Sequence, residues 1–415
     1  MKLAIQQENL KKALAQVSRA VPGKPVMPIL GNVLLTTDQG RLRLSATDLN
    51  LAITVWSGAQ IEQDGSILVP AGLFADLVAG LPNDRVTLEV RGENQLVTVA
   101  CARFSTQLNG ISAEDFPAVQ HTAPEGAASV RFATATLKEA IPQVVCAAAD
   151  GDARPVLAGV YLRLHESAAM LAAADGFRLA SKQIALPAPV ATKQEVMIPA
   201  PALRELAGLL SDPSEHVTMS LASAATGSAT VTQAIFQTAH WTLATRLIDG
   251  QYPDFERIMP KGCTTRAIFD VRELNRAVRL AALIASVSQN VVKLSVATGE
   301  SDQAGTVLLS ANAAGIGANT GSVEGQVAGE GGQIALNVKY LGEALTVIGT
   351  PQVAFEMVTA QAPGVLRPVG ENGYVHLERL IARLSVAVPA ISQPARRVAE
   401  AHRGRVEVGR VVALR

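Results

Sequence analysis

Leu10-Lys11-Lys12-Ala13-Leu14, Leu137-Lys138-Glu139-Ala140-Ile141 and Leu274-Asn275-Arg276-Ala277-Val278 are three versions of one amphipathic phrase, and their spacing decides the fold. Other landmarks keep that spacing. Leu44-Ser45-Ala46-Thr47-Asp48 returns as Leu171-Ala172-Ala173-Ala174-Asp175 and as Leu309-Ser310-Ala311-Asn312, and Val69-Pro70-Ala71 returns as Ile198-Pro199-Ala200 and Leu336-Asn337-Val338. The first-to-second offsets are 127, 127 and 129, and the second-to-third offsets 137, 138 and 138. Solenoid units recur every roughly 20–50 residues, so this period marks a triplicated domain and not a stacked array.

Each repeat presents its signals in the same order. Leu10, Ala13, Leu14, Val17 and Val21 predict one apolar stripe along a first helix, with Lys11, Lys12, Gln16 and Arg19 on its other face. Capping boxes at Thr136/Glu139 and Asp270/Glu273 predict the starts of the corresponding helices, and Pro142 weakens the second of these. Short β-type runs follow, in the first repeat Gly31 to Thr37, Arg41 to Ala46 and Leu51 to Trp56, with Asp38-Gln39-Gly40 as a hairpin turn. A second helix is expected at about 71–80, 200–210 and 337–348. The fold class is therefore α+β, with two helices per repeat packed on one side of antiparallel strands. The limits expected are 1–123, 124–260 and 261–384, with 385–415 as a solvated, partly disordered basic extension.

Composition excludes several function classes. No apolar run approaches the roughly 20 residues of a membrane span, and Met1-Lys2-Leu3-Ala4-Ile5-Gln6 is no signal peptide, so a cytoplasmic protein is expected. Cys101, Cys146 and Cys263 are too far apart for a metal or disulfide framework. The six histidines lack ligand spacing, and no P-loop, dinucleotide fingerprint or nucleophile elbow occurs; neither a cofactor nor a catalytic role is expected. Asp48 and Asp175, equivalent in two repeats, read as turn residues. Net charge is zero, yet seven arginines against two glutamates after residue 380 give the tail +5 and leave −5 on the body. Nucleic-acid contact by the body would need concentrated basic residues, and Arg272, Arg276 and Arg279 at i, i+4 and i+7 line one helix face, as Lys12 and Arg19 do on the first helix. An ordinary solvated face explains any one such helix; repetition suggests a shared phosphate-binding surface.

The chain resembles the bacterial DNA polymerase III beta subunit family. Met1-Lys2-Leu3, Pro28-Ile29-Leu30-Gly31-Asn32, Thr47-Asp48-Leu49, Asp115-Phe116-Pro117, Asp175-Gly176-Phe177-Arg178-Leu179, Asp249-Gly250-Gln251-Tyr252-Pro253-Asp254-Phe255 and Leu366-Arg367-Pro368 match its pattern in order, over about residues 1 to 377. The resemblance implies a non-enzymatic processivity clamp: a head-to-tail homodimer of six domains in a ring around duplex DNA, closed through Phe104, Leu283 and Ile284. It further implies a pocket between the second and third domains that takes short linear peptides from the polymerase catalytic subunit, the clamp loader and repair proteins. The matching residues are Leu157, Ala174, Gly176, Phe177, Arg178, Leu179, Pro253, Arg257, Ile258 and Pro363, an apolar set with two arginines at the rim.

Two departures bear on that reading. Ala71-Gly72 and Ala200-Pro201 stand where the family often carries basic residues, so DNA contact is expected to lean on Lys24, Arg154, Arg204 and the third-domain arginines. Glu378-Arg379-Leu380-Ile381-Ala382-Arg383-Leu384 replaces the family's Met-Pro-Met-Arg-Leu type ending, which forms one wall of the pocket. A specialised clamp paralogue with an altered pocket is the alternative this favours. A three-domain enzyme is the remoter one, because no acid, base, nucleophile or metal set appears.

Overall fold

The computed structural model describes residues 1–91, 95–124, 127–151, 154–223, 231–260, 262–299 and 305–379. The expectation for 385–415 lies outside the described residues.

Among the described residues six α-helices fall in three pairs: α1 Gln7–Val17 with α2 Ala71–Gly80, α3 Thr134–Val145 with α4 Ala200–Leu209, and α5 Val271–Ala285 with α6 Val338–Val347. α1 buries Leu10, Ala13, Leu14 and Val17, as its apolar spacing predicts. It ends at Val17 in a 3-10 turn, Ser18–Ala20, so Val21 lies in extended chain and not on the stripe. Asp270 caps α5, its carboxylate accepting from the amides of Arg272 and Glu273, both at 2.9 Å. Glu273 does not complete the box; it pairs with Arg276 at 3.1 Å. The Thr136 box is not formed at all. Strand Ser129–Ala133 runs directly into α3 with Ala133 at the cap, which places Thr136 inside the first turn.

The strands of each repeat divide between two antiparallel groups, and the groups join across repeats. One eight-stranded sheet sets Trp241–Arg246 of the second repeat against Leu51–Gly58 of the first. A twelve-stranded sheet sets Tyr374–Glu378 of the third repeat against Arg178–Ala185 of the second. The turn between Asn32–Asp38 and Arg41–Thr47 is the expected two-residue hairpin, with Gln39 and Gly40 at φ 48° and 76° as such a turn requires.

Among the described residues these joints leave one strand of each joining kind without an inter-repeat partner. Trp241–Arg246 lies 137 residues after Phe104–Asn109, and Arg178–Ala185 lies 127 after Leu51–Gly58. The first repeat's closing strand, Phe104–Asn109, therefore has no successor to pair with, and it ends the five-stranded sheet. The third repeat's counterpart of Leu51–Gly58 and Arg178–Ala185 is Gly317–Gly329; its far end pairs with Thr265–Asp270, but 317–324 are bonded on one side only, to Gly305–Ala313. Exposed apolar side chains accompany both edges: Phe104 near the first, Leu280, Leu283, Val287 and Ile316 near the second.

Helix contacts reinforce the internal joints. Arg19 of the first repeat pairs with Glu205 on α4 at 3.0 Å and lies against Gly208, where any Cβ would collide with its guanidinium. Between the second and third repeats, Lys182 is buried between Glu139 and Glu371, and Arg178 between Asp175 and Glu343.

Candidate functional site

The segment Asp175-Gly176-Phe177-Arg178 is built by a side-chain turn. The Asp175 carboxylate accepts from the amides of Phe177 (2.8 Å) and Arg178 (3.0 Å), and Gly176 takes φ 94°, a conformation that suits glycine. Asp48 does the same in the first repeat, accepting from Asn50 and Leu51, with Leu49 at φ 80°. Both aspartates are turn residues, as expected. The consequence at the second site is that Phe177 stands out from the surface, 63% exposed.

Leu179, two residues on, belongs to a small apolar core made by both repeats: Ala172 and Leu179 from the second, Phe255 from the connecting segment, and Val365 and Leu377 from the third. Tyr161, Tyr252 and Phe255 pack ring against ring at its side, the two tyrosines stacked at 5.3 Å. Of the ten matched residues, Gly176, Phe177, Pro253, Arg257 and Ile258 face solvent, Ala174 and Pro363 are half-buried, and Leu157, Arg178 and Leu179 are buried. Two arginines at the rim are implied by the resemblance; only Arg257 is there, bonded to Asp254 at 2.7 Å. Arg178 is inside, bonded to Asp175 and Glu343 and seated 4.0 Å over the ring of Tyr340 on α6. A buried guanidinium needs such partners, so Arg178 ties the second repeat to the third.

The set is not gathered in one cavity. Gly176 and Phe177 line a cleft of about 410 Å³ with Asp150, Arg154, Asp175 and Arg379. Pro253 lines a cleft of about 500 Å³ with Tyr161, Arg163 and Glu195, and Pro363 one of about 210 Å³ with Cys263 and Arg367. Arg154, expected at DNA, thus belongs beside Phe177, its guanidinium reaching to 3.5 Å from where a Cβ on Gly176 would sit. Its place three residues before Leu157 was the available signal. Arg379, unassigned from sequence, donates its backbone N–H to the Phe177 carbonyl at 2.7 Å and closes the cleft from the third repeat.

Two titratable groups lie under this wall. Burial pushes the Glu378 carboxyl up to about 8, against the bond it accepts from the Asn337 amide and the charge of Arg178. Burial, aided by Arg178, pushes His376 down to about 3.

Lys12, Lys24, Arg204, Arg272, Arg276 and Arg279 are all exposed, Arg276 with Glu273 beside it; Arg19 is committed to α4. Phe104 and Leu283 are exposed, and Ile284 is half-buried against the core. Among the described residues no group of three or more His, Cys, Asp or Glu could hold a metal ion, and no helix is long and apolar enough to cross a membrane.

Three family models match in succession: the DNA polymerase III beta subunit N-terminal domain at residues 1–120, its central domain at 131–254 and its C-terminal domain at 256–380. The beta sliding clamp of Synechococcus elongatus is 32% identical over 374 residues, covering 89% of this chain and 96% of the relative. That of Bacillus subtilis is 29% identical over 388 residues, covering 91% and 98%. Among solved structures, the Bacillus subtilis sliding clamp superposes with a TM-score of 0.83 at 27% identity, covering 92% of this chain and all of that one. A Pseudomonas aeruginosa sliding clamp bound to griselimycin superposes at 0.82 with 27% identity and the same coverage.

Proposed function

The chain belongs to the DNA polymerase III beta subunit family, the beta sliding clamps, and from that membership we propose that two copies close head to tail into a ring of six repeats around duplex DNA. Within it the chain acts as a non-catalytic tether for the replicative polymerase, the clamp loader and repair proteins. The observation that carries this reading is the pair of unmatched edges. Every internal joint pairs a closing strand with the Leu51–Gly58-type strand of the repeat before it, and the two strands left over are of those complementary kinds. One chain holds both, at opposite ends of its series; a second copy satisfies both at once, giving two identical heterologous contacts that close. Exposed Phe104, Leu283 and half-buried Ile284 supply the apolar surface for them.

Retention on DNA then needs no strong site. Lys12, Lys24, Arg204, Arg272, Arg276 and Arg279 offer phosphate contacts that ignore sequence, and topology does the holding. Clients dock at the cleft beside Phe177 and run on over the neighbouring surface that carries Pro253, Arg257 and Ile258. Sedimentation of the wild type should give a dimer at micromolar concentration, and Leu283→Glu a folded monomer. The wild type, once loaded, should stay on nicked circular DNA and run off after linearisation. A wild-type monomer at every concentration, or equal retention on both DNA forms, sinks the ring.

A further inference from the structure

We propose that the cleft between the edge strand Gln194–Pro199 and the connecting segment after Arg246 is a second docking site, for an extended stretch of a partner protein that carries lysine or arginine beside an aliphatic side chain. The cleft holds about 500 Å³ and shares no lining residue with the cleft at Phe177; of the residues matched to clients, only Pro253 borders it. Its apolar walls come from Tyr161, Val196, Met197, Val231, Ile248 and Tyr252. They suit an aliphatic anchor.

The backbone beside those walls is open. Gln194–Pro199 begins the twelve-stranded sheet, paired with Gly159–His165 and with no strand on its other side. The Met197 carbonyl turns outward to accept the Ile248 amide at 2.9 Å. Strand alternation turns the amide and carbonyl of Glu195, two residues back, the same way, and an extended segment can bond to both.

Charge selects the occupant. Four carboxylates line the cleft, Glu195, Asp249, Asp254 and Glu256, against Arg163 alone. Glu256 is bonded to Arg163 at 2.6 Å, Glu195 to Lys193 at 2.5 Å and Asp254 to Arg257 at 2.7 Å. Asp249 is exposed and has no bonded partner among the described residues. One free carboxylate beside an apolar wall complements one basic side chain beside an apolar one, whereas a phosphate backbone meets an excess of like charge. A protein held here leaves the cleft at Phe177 free for another.

The test uses the full-length protein and labelled eight-residue peptides in which leucine and valine alternate with lysine, or with glutamine in a twin. Fluorescence anisotropy at low salt should show the lysine peptide binding about twofold to fivefold more tightly, the modest gain of one exposed charge pair. Asp249→Asn should remove that gain without changing the glutamine peptide's affinity, and Asp249→Glu should keep part of it. Methylating alternate backbone nitrogens of the peptide should weaken binding in one of the two registers, because only one presents its N–H groups to Glu195. Phe177→Ala should leave all of these affinities as they are. Failure of both peptides to bind, or a lysine preference that survives Asp249→Asn, overturns the proposal. Binding lost in Phe177→Ala also refutes it, by assigning the peptides to the other cleft.

Discussion

His376 and Glu378 sit two residues apart on one buried strand, and burial shifts them in opposite directions along the pH scale. Glu378 ordinarily ionises near 4.5 and here near 8, so the folded state holds a proton that the unfolded chain releases; stability falls as pH rises from 4.5 to 8. His376 ordinarily protonates near 6.5 and here only near 3, so stability falls as pH drops from 6.5 to 3. The two slopes, each at most about 1.4 kcal/mol per pH unit, cancel between 4.5 and 6.5. Thermal melts should accordingly show a plateau there with a fall on either side. Glu378→Gln should flatten the fall between pH 6.5 and 8, and His376→Leu should gain on the wild type as pH drops below 6.5; curves that stay parallel to the wild type refute both shifts. None of this was legible in the sequence. Tyr374-Val375-His376-Leu377 reads as a strand, but which face is buried depends on Arg178–Ala185, a strand nearly two hundred residues earlier. The same long-range contact took Arg178 from the expected rim to the interior.

Elements were read better than their ends. The second helices fall within a residue or two of expectation because nearly three turns of apolar spacing average over single-residue accidents, as Val338, Leu341 and Leu345 do on α6. Ends hang on one side chain each, and there the outcomes divide: Asp270 caps α5, while Thr136 is overtaken by a strand that continues into α3 without a polar cap. The basic faces divide similarly. Lys12, Glu139 and Arg276 occupy one repeat-equivalent position, so the middle repeat contributes an acid, and that acid is turned to Lys182 at 3.6 Å. The α5 face carries the argument for DNA, and its three arginines are unequal. Arg272→Ala and Arg279→Ala should each lower the slope of log affinity against log salt by about one, and Arg276→Ala by less, because Glu273 already half-neutralises it. Unchanged slopes in titrations of a short duplex would move the phosphate surface off α5.

For the whole molecule, repetition in the sequence announced three domains but not how they join, because Trp241–Arg246 against Leu51–Gly58 is a pairing across domains that leaves no local pattern. The joints are chemically unlike. One repeat-equivalent position at or just beyond the first helix's end holds Arg19, Cys146 and Leu283: the first meets α4 through an ion pair, the second is half-buried at the next joint with its thiol pushed up to about 11, and the third is 68% exposed. At this position the two joints inside the chain use an ion pair and a half-buried thiol and are covalently tethered, whereas the edge proposed for a second copy presents an exposed leucine. Apolar cohesion weakens on cooling and is little affected by moderate salt. The dimer dissociation constant, followed by sedimentation at about 30 °C and about 4 °C, should therefore rise in the cold while changing little between about 0.05 and 0.3 M salt. A dimer that tightens on cooling would show that ion pairs hold this joint instead. In the proposed ring, then, cold rather than ionic strength shifts closed circles toward open halves, and a chilled cell would hold fewer of them on its DNA.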